Sequence, residues 1–351
     1  MREVVADIAR WRAEGKRVAL ATVVSMVGSA PRGLGATLAA SDAGEISGSV
    51  SGGCVEPAVI EEGMRALRTG KPKLLSFGIT EEQNLEQIGL SCGGEIRVFV
   101  QALQDADWQP LAQALHAAQP VVWATVINGS ADHMGTTATW VDAGASSHSV
   151  PSALGPAADG IAAGLLQHGE SGIQTLPATS PDATSGQPEE VFFSVLPPQP
   201  TLIIVGAGHA AIPLTRIAKV VGYKVIVVDA REAFATPERL PDVDELLVEW
   251  PDEALAHLPL TGATAIAVLT HDEKFDVPAL KVALNSPAGY IGAIGSRGTR
   301  ERRDRRLREI GVTDEQIARI HGPIGLSIGA KTPEEIAVAI LAEIIASRRI
   351  G

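Results

Sequence analysis

Residues 201–231 read TLIIVGAGHAAIPLTRIAKVVGYKVIVVDAR. The first five are apolar and rich in β-branched side chains, as a strand buried on both faces requires. They run into Gly206-Ala207-Gly208-His209-Ala210-Ala211, a G-x-G-x-x-A turn. A helix-period segment follows (Ile212, Leu214, Ile217, Val220), and a second apolar run at 225–228 ends in Asp229. Together these predict a dinucleotide-binding βαβ unit. Gly206 allows the tight turn, Gly208 leaves room for a phosphate, and Ala211 lets helix and strand pack closely. The helix start offers unpaired N–H groups and a positive dipole end to an anion. Asp229, about twenty residues on, is placed to accept a ribose hydroxyl. A Rossmann shell with an empty site is the plainer alternative.

At 351 residues the chain has length for two or three domains with full cores. A net charge of −12 makes nucleic acid and anionic membrane poor partners. No apolar run reaches transmembrane length, and the opening MREVVADIARWRAEGKR lacks a signal-peptide core. Two cysteines do not make a disulfide framework. A soluble, reduced, cytoplasmic protein is expected.

From the amino end, the pattern predicts a helix over 3–14 and a strand over 18–25. The loop VGSAPRGLGA (27–36) follows, then short strands over 38–40 and 46–50 around a turn at 42–44. SGGCVE (51–56) opens a helix over 57–67. A strand over 73–77, the glycine pair of SCGG (91–94) and a strand over 95–101 close the first hundred residues. The next hundred look like a decayed copy. Residues 107–118 repeat the opening helix, 121–126 match 18–23, and Gly135-Thr136-Thr137 parallels Gly35-Ala36-Thr37. Asp142-Ala143-Gly144 parallels Asp42-Ala43-Gly44, Pro156-Ala157 parallels Pro57-Ala58, and 190–195 parallels 95–100. The spacing exceeds that of solenoid repeats, so a tandem duplication forming one domain is expected. We place that domain at 1–196 (halves of about 1–103 and 104–196), a Pro-rich linker at 197–200, and a Rossmann-like domain at 201–351.

The second copy keeps the frame and drops reactive groups. Ala153 stands opposite Cys54, Gly155 opposite Glu56, and the Pro31-Arg32 pair is missing. Thr184-Ser185-Gly186 stands near where Ser91-Cys92-Gly93 would be. This asymmetry marks Arg32, Cys54, Glu56 and Cys92 as functional, although a single cysteine is more often a small buried hydrophobe. Cys54 just before a helix start is placed for thiolate formation. Arg32 has the fork for a phosphate. A thiolate among backbone N–H groups can ligate a soft metal or carry sulfur. Cys54 and Cys92 lack paired zinc spacing.

Beyond Asp229 the sequence predicts a polar segment to 244, a strand over 245–249 and a fourth strand at Ala265, Ile266, Val268 and Leu269. The cluster THDEKFD (270–276) then lies where open α/β sheets bind ligands, with His271, Asp272 and Asp276 as ligand contacts or simply helix caps. A fifth strand over 290–294 leads to GSRGTR (295–300), a second anion-site pattern with Ser296 as cap and Arg297 as phosphate ligand. The basic run 300–308 reads as a solvated helix face. IHGPIG (320–325) reads as a tight loop, and TPEE (332–335) as the cap of the last helix.

The segments VGSAPRGLGA, SGGCVE, SCGGE, LIIVGAGHAA, VVDAR, LTHDEKFD, YIGAIGSR and HGPIGLSIGAKTPEEIAVAILAEI resemble the XdhC/CoxI family, in the family's order and across nearly the whole chain. The resemblance implies an amino-terminal XdhC/CoxI domain, a carboxyl-terminal Rossmann domain and an accessory role for molybdenum hydroxylases such as xanthine dehydrogenase. That role is to bind molybdenum cofactor, protect it, support its sulfuration by a cysteine desulfurase and deliver it to the apo-enzyme. Gln101 departs from the family's glutamate. The family's G-x-G-H turn matches Gly206, Gly208 and His209. On this reading Cys54 and Cys92 contact molybdenum or sulfur, and Glu56 acts as acid/base or orients them. Arg32, the turn from Gly206 to Ala211, Asp229, Arg231, Ser296 and Arg297 hold anionic or nucleotide parts of a ligand. The ligand of the Rossmann turn is left open between NAD(P) and a pterin's phosphate or dinucleotide tail. A homodimer is expected. The alternatives are an NAD(P)-dependent oxidoreductase selecting its nucleotide through Asp229 and Arg231, and a nucleotide-sensing regulatory protein.

Overall fold

A computed structural model describes residues 1–78, 94–117, 119–141, 154–177 and 188–350. The chain divides into two compact units, Met1–Pro198 and Gln199–Gly351.

In the first unit a 3-10 turn (Arg2–Val4) leads into α1 (Val5–Ala13). Then come β1 (Val18–Val27), β2 (Thr37–Ser41), β3 (Ile46–Gly48), α2 (Glu56–Thr69), β4 (Lys73–Phe77) and β5 (Glu95–Ala102). The chain continues through α3 (Asp105–His116), β6 (Val121–Asn128), β7 (Thr137–Val141), α4 (Gly155–His168), β8 (Gly172–Leu176) and β9 (Glu189–Leu196). Two antiparallel sheets result, ordered β3-β2-β1-β5-β4 and β7-β6-β9-β8. Without β3 the orders correspond strand for strand. The correspondence reaches local detail. The β1–β5 register shifts between Val23 and Ser25, and the β6–β9 register between Val126 and Asn128. Beside each shift a glycine N–H, of Gly35 or Gly135, donates to the carbonyl of Val23 or Val126 (2.8 and 2.9 Å). The helices α2 and α4 are both 14 residues long with proline in the first turn, where a missing N–H costs no helical hydrogen bond.

Strand alternation sends each sheet's residues to two faces. Ala21, Val23, Leu38, Val98 and Val100 pack against Val55 and Val59 around α2, and Val122, Ala124, Val126 and Phe193 pack against Ala158 and Ala162 of α4. A third cluster belongs to both halves. Ile8 and Trp11 of α1 and Leu20 of β1 meet Trp108 and Leu111 of α3 and Trp123 of β6.

The second unit runs β10 (Thr201–Val205), α5 (Ala211–Val220), β11 (Lys224–Val228), β12 (Glu245–Leu247), α6 (Pro251–His257), β13 (Thr264–Val268) and α7 (Glu273–Leu284). It ends with β14 (Tyr290–Ala293), α8 (Arg297–Glu309), α9 (Asp314–Ala318), β15 (Ile320–His321) and α10 (Pro333–Ile350). Its six strands are all parallel in the order β12-β11-β10-β13-β14-β15. Counted along the domain this is 3-2-1-4-5-6, the doubly wound dinucleotide-binding topology. Successive residues of each strand feed opposite cores. Leu202, Ile204, Val225 and Val227 face α5 and α10, while Ile203, Val205, Ile226 and Val228 face α6 and α7. The sixth strand corrects the loop expected at 320–325. Ile320 and His321 pair with Ile291 and Gly292, and two residues are too few for a periodic signal.

The shared cluster makes a specific demand on the first unit. Ile8→Ala, at a fully buried position, should cost about 2–5 kcal/mol. It should lower amide-exchange protection in β6 and β9 as well as in β1. Loss of protection confined to the first half would contradict a common core.

Candidate functional site

The amino-terminal candidate is built from loops at one end of the first sheet. Cys54 is partly buried, two residues before α2, and packs against the Val55, Val59 and Val98 cluster. Ahead of it Gly52 (φ 79°) and Gly53 (φ 122°) occupy the left-handed region that side chains avoid. A Cβ on Gly52 would stand 3.7 Å from Pro31, so the SGGCVE loop lies beside the APRG loop. A Cβ on Gly94 would collide with the Ser29 carbonyl. The glycine that ends the SCGG motif is therefore pressed against the same loop. Cys92 itself lies outside the described residues, as do Ala153 and Thr184-Ser185-Gly186. Among the described residues, no group of three or more His, Cys, Asp and Glu side chains is arranged to hold a metal.

Glu56 shapes this loop. Its Oε1 accepts from the Ser49 hydroxyl (2.6 Å) and the N–H groups of Val50 (3.2 Å) and Ser51 (2.9 Å). Its Oε2 accepts from the Ser51 hydroxyl and from Gly53 and Val55 N–H (2.9 and 3.2 Å). Burial pushes the carboxyl up, but the hydrogen bonds led by Ser49 and Ser51 outweigh it and hold the group down at about 2. A carboxylate so satisfied stays ionised at neutral pH. These contacts fix the backbone of the loop that carries Cys54, the geometry of the orienting alternative named for Glu56 rather than of the acid/base one. Arg32, expected to grip a phosphate, is ion-paired with Glu3. Gln101 is buried in β5, where its Oε1 would lie 3.2 Å from a Cβ on Gly135, away from these loops.

The second candidate is the carboxyl edge of the parallel sheet. Gly206 (φ 106°) follows β10, and a Cβ there would sit 2.6 Å from Thr270 Cγ2, beyond β13. The turn and the strand end are thus in contact at the topological switch point. The amides of Gly206 and Ala207 are engaged by the Val228 carbonyl and Asp229 Oδ2 (both 2.8 Å). Those of Gly208, His209 and Ala210 have no backbone acceptor among the described residues. A Cβ on Gly208 would meet nothing within 4 Å, so the space over the turn is open. His209 is exposed, and Ala211 is buried against the sheet.

Asp229 departs from expectation. It is 1% exposed, and Arg231 donates to it from its backbone N–H (3.0 Å), Nε (2.8 Å) and Nη2 (2.7 Å). Burial raises its carboxyl, but the Arg231 and Ala207 hydrogen bonds prevail and lower it. Its oxygens serve its own chain rather than standing open to a ribose. The 270–276 cluster resolves into helix caps. Asp272 accepts from Lys274 N–H (3.2 Å) at the start of α7, and Asp276 accepts from the Thr270 hydroxyl. Burial is the main influence on Asp276 and pushes its carboxyl up. Ser296 caps α8 by accepting from Thr299 N–H (3.3 Å), and Arg297 is exposed in its first turn.

Two features escaped the sequence reading. Phe234, Trp250 and Phe275 gather beyond β11, β12 and β13, with Arg231 over Phe234 at 4.3 Å and Trp250 against Phe275 at 5.1 Å. Glu343 of α10 accepts from Tyr290 (2.5 Å) and Gly325 N–H (2.7 Å), and His321 stacks on Tyr290. In both cases the partners come from elements far apart in sequence. The HGPIG motif was the only local signal.

The chain matches the model of the XdhC and CoxI family over residues 11–78 and that of the XdhC Rossmann domain over 202–344. It is 28% identical over 340 residues to a probable xanthine dehydrogenase subunit of Bacillus subtilis, covering 94% of this chain and 93% of that one. It is 26% identical over 334 residues to the molybdenum cofactor insertion chaperone PaoD of Escherichia coli, covering 95% and 84%. The fold matches a crystal structure of a xanthine dehydrogenase from Bacillus halodurans with a TM-score of 0.74, at 22% identity over 99% and 96% of the two chains.

The Glu56 geometry fixes a pH dependence. Its folded value of about 2 lies below the ordinary 4.5, so its contribution is complete above pH 4.5 and is lost as the pH falls toward 2. Glu56→Gln should cost about 1–3 kcal/mol at pH 7, toward the low end because the group is partly solvated. Urea midpoints followed from pH 7 to 2 should converge for the two proteins. Parallel curves would show that Glu56 does not carry this dependence.

Proposed function

This chain belongs to the XdhC and CoxI family, and from that premise we propose that it binds molybdenum cofactor, supports its sulfuration and delivers it to a xanthine-dehydrogenase-type hydroxylase. The observation that carries the reading is the Cys54 loop, a thiol on backbone that Glu56 holds in one shape. The name of the Escherichia coli relative supports it.

The residues present suit the group. Bound molybdenum cofactor supplies a soft, sulfur-ligated metal and a pterin bearing an anionic phosphate. Cys54 offers a soft donor of the matching kind. In the second unit, taken by itself, the amides of Gly208, His209 and Ala210 offer donors to the phosphate of a ligand at the start of α5. Cys54 acts in the first unit as the molybdenum or sulfur contact, with Cys92 as its companion. Arg32 turns to an anion by leaving Glu3. In the second unit the Gly206 to Ala211 turn takes the phosphate-bearing part of a ligand, and Ser296 with Arg297 provides a further anion contact. The partners of this role are the apo-hydroxylase and a cysteine desulfurase, and the working assembly is a homodimer.

Two variants test the reading in a host that makes the cofactor. Cys54→Ser should cut co-purifying molybdenum and oxidised-pterin fluorescence by about tenfold or more with Tm nearly unchanged, because serine keeps the size of a side chain that is only partly buried and removes the soft donor. Retention equal to wild type would overturn it, and a large fall in Tm would show that Cys54 is core. Gly208→Val fills the open space above the turn without a steric clash. It should weaken phosphate-bearing ligands while sparing Tm. Unchanged binding would remove the turn from the site.

A further inference from the structure

The carboxyl edge of β10 and β11 carries a selectivity that the cofactor-delivery reading does not use. In this topology the end of the second strand meets the ribose nearest the adenine. A carboxylate there takes the 2′-hydroxyl, and a guanidinium takes a 2′-phosphate. Asp229 holds the carboxylate's place but has nothing left to give. An ionised carboxylate has about four acceptor sites. Four donors of its own chain reach Asp229: Ala207 N–H and Arg231 Nη2 on Oδ2, and Arg231 N–H and Nε on Oδ1. A ribose hydroxyl arriving there would find no open lone pair.

Arg231 is in the opposite condition. Asp229 takes only the Nε/Nη2 edge of its guanidinium, and no hydrogen bond among the described residues engages Nη1. The side chain keeps 34% of its surface exposed. The outer edge of a guanidinium is a two-pronged donor matched to phosphate. Its plane is braced by Phe234, on which the Arg239 guanidinium also rests, 5.1 Å from the ring centroid. Phe234 and Trp250 are 37% and 46% exposed, so flat apolar surface lies beside the charge. Asp272, whose charge also acts on Arg231, is engaged by Lys274.

We propose that this crevice takes an adenine nucleotide phosphorylated at the ribose 2′ position and rejects the unphosphorylated form, with Arg231 as the specificity-determining residue and Asp229 as the strut that aims it. The Asp229 carboxylate contributes by holding Arg231 in plane and by being closed to the 2′-hydroxyl. The proposal rests on the reading that the Gly206 to Ala211 turn takes the phosphate-bearing part of a ligand and names that ligand as the nucleotide, whereas molybdenum retention is assigned to Cys54 in the first unit.

The test titrates the full-length protein with 2′,5′-ADP and with 5′-ADP. The 2′-phosphorylated probe should bind at least about tenfold more tightly, the scale of a bidentate charged contact. Arg231→Ala should level the two affinities. Because that change strips Asp229 of its partner, Arg231→Lys is measured beside it. Lysine keeps the charge without the planar fork, and should keep Tm within a few degrees while losing most of the preference. Equal affinities in the wild type, a preference for 5′-ADP, or no binding of either probe would overturn the proposal. So would a preference that survives both variants. Molybdenum and pterin content read on the same preparations reports on retention at Cys54, which the Arg231 variants leave in place, so the two readings fail separately.

Discussion

Each candidate site depends on a carboxylate saturated by donors from its own neighbourhood. Glu56 gathers six donors from residues 49–55, and Asp229 gathers four from Ala207 and Arg231. The physical reason is common to both. A loop of glycine, serine and alanine has too little side chain to fix its shape by packing, so hydrogen bonds must do it. An ionised acceptor makes each of them stronger than a neutral one would. Burial opposes ionisation in both cases, and the donors prevail. The loops are rigid because the charge would be costly to leave unpaired.

The same logic accounts for the inequality between the halves of the first unit. Both sheets share strand order, a register shift at the equivalent point and a glycine hydrogen bond beside it. Those features belong to backbone and core, and the cluster around Ile8, Trp11, Trp108 and Trp123 ties the halves together. The helix α4 begins at Gly155 where α2 begins at Glu56. The second helix lacks that carboxylate at its first position and still packs through Leu154 and Ala158. The sheet survives because its stability comes from apolar burial, which the change leaves untouched.

How much was legible in the sequence follows from which forces are local. Strands such as 201–205 and 73–77 could be read because an apolar run or alternation is a property of neighbours in the chain. The Rossmann turn was legible because glycine spacing encodes a backbone requirement. The two-residue β15 was not, since its pairing with β14 is set by the sheet and not by its own composition. The choice between the two roles named for Glu56, and the closing of Asp229 by its own chain, were hidden for a related reason. A carboxylate beside a glycine turn looks the same whether it faces a ligand or its own chain, and counting its donors needs coordinates. The aromatic group of Phe234, Trp250 and Phe275 is assembled from three separate loops, so no stretch of sequence announces it.

The state of these acids also bears on the kind of chemistry the folds support. A general acid or base must exchange a proton near its working pH, which requires a pKa near that pH and a lone pair or proton within reach of the ligand. Glu56 and Asp229 are pushed the other way, held ionised and closed by their own donors. Asp276 is pushed upward by burial, but its Oδ1 accepts from Thr270 and it lies 3% exposed beneath the crevice. What the two sites present outward instead is a thiol, open backbone amides and one edge of a guanidinium. In kind, such groups match soft metal, sulfur and phosphate rather than proton transfer. Such a surface is suited to holding a charged ligand in a fixed pose, and its acids are consumed in making that pose rigid.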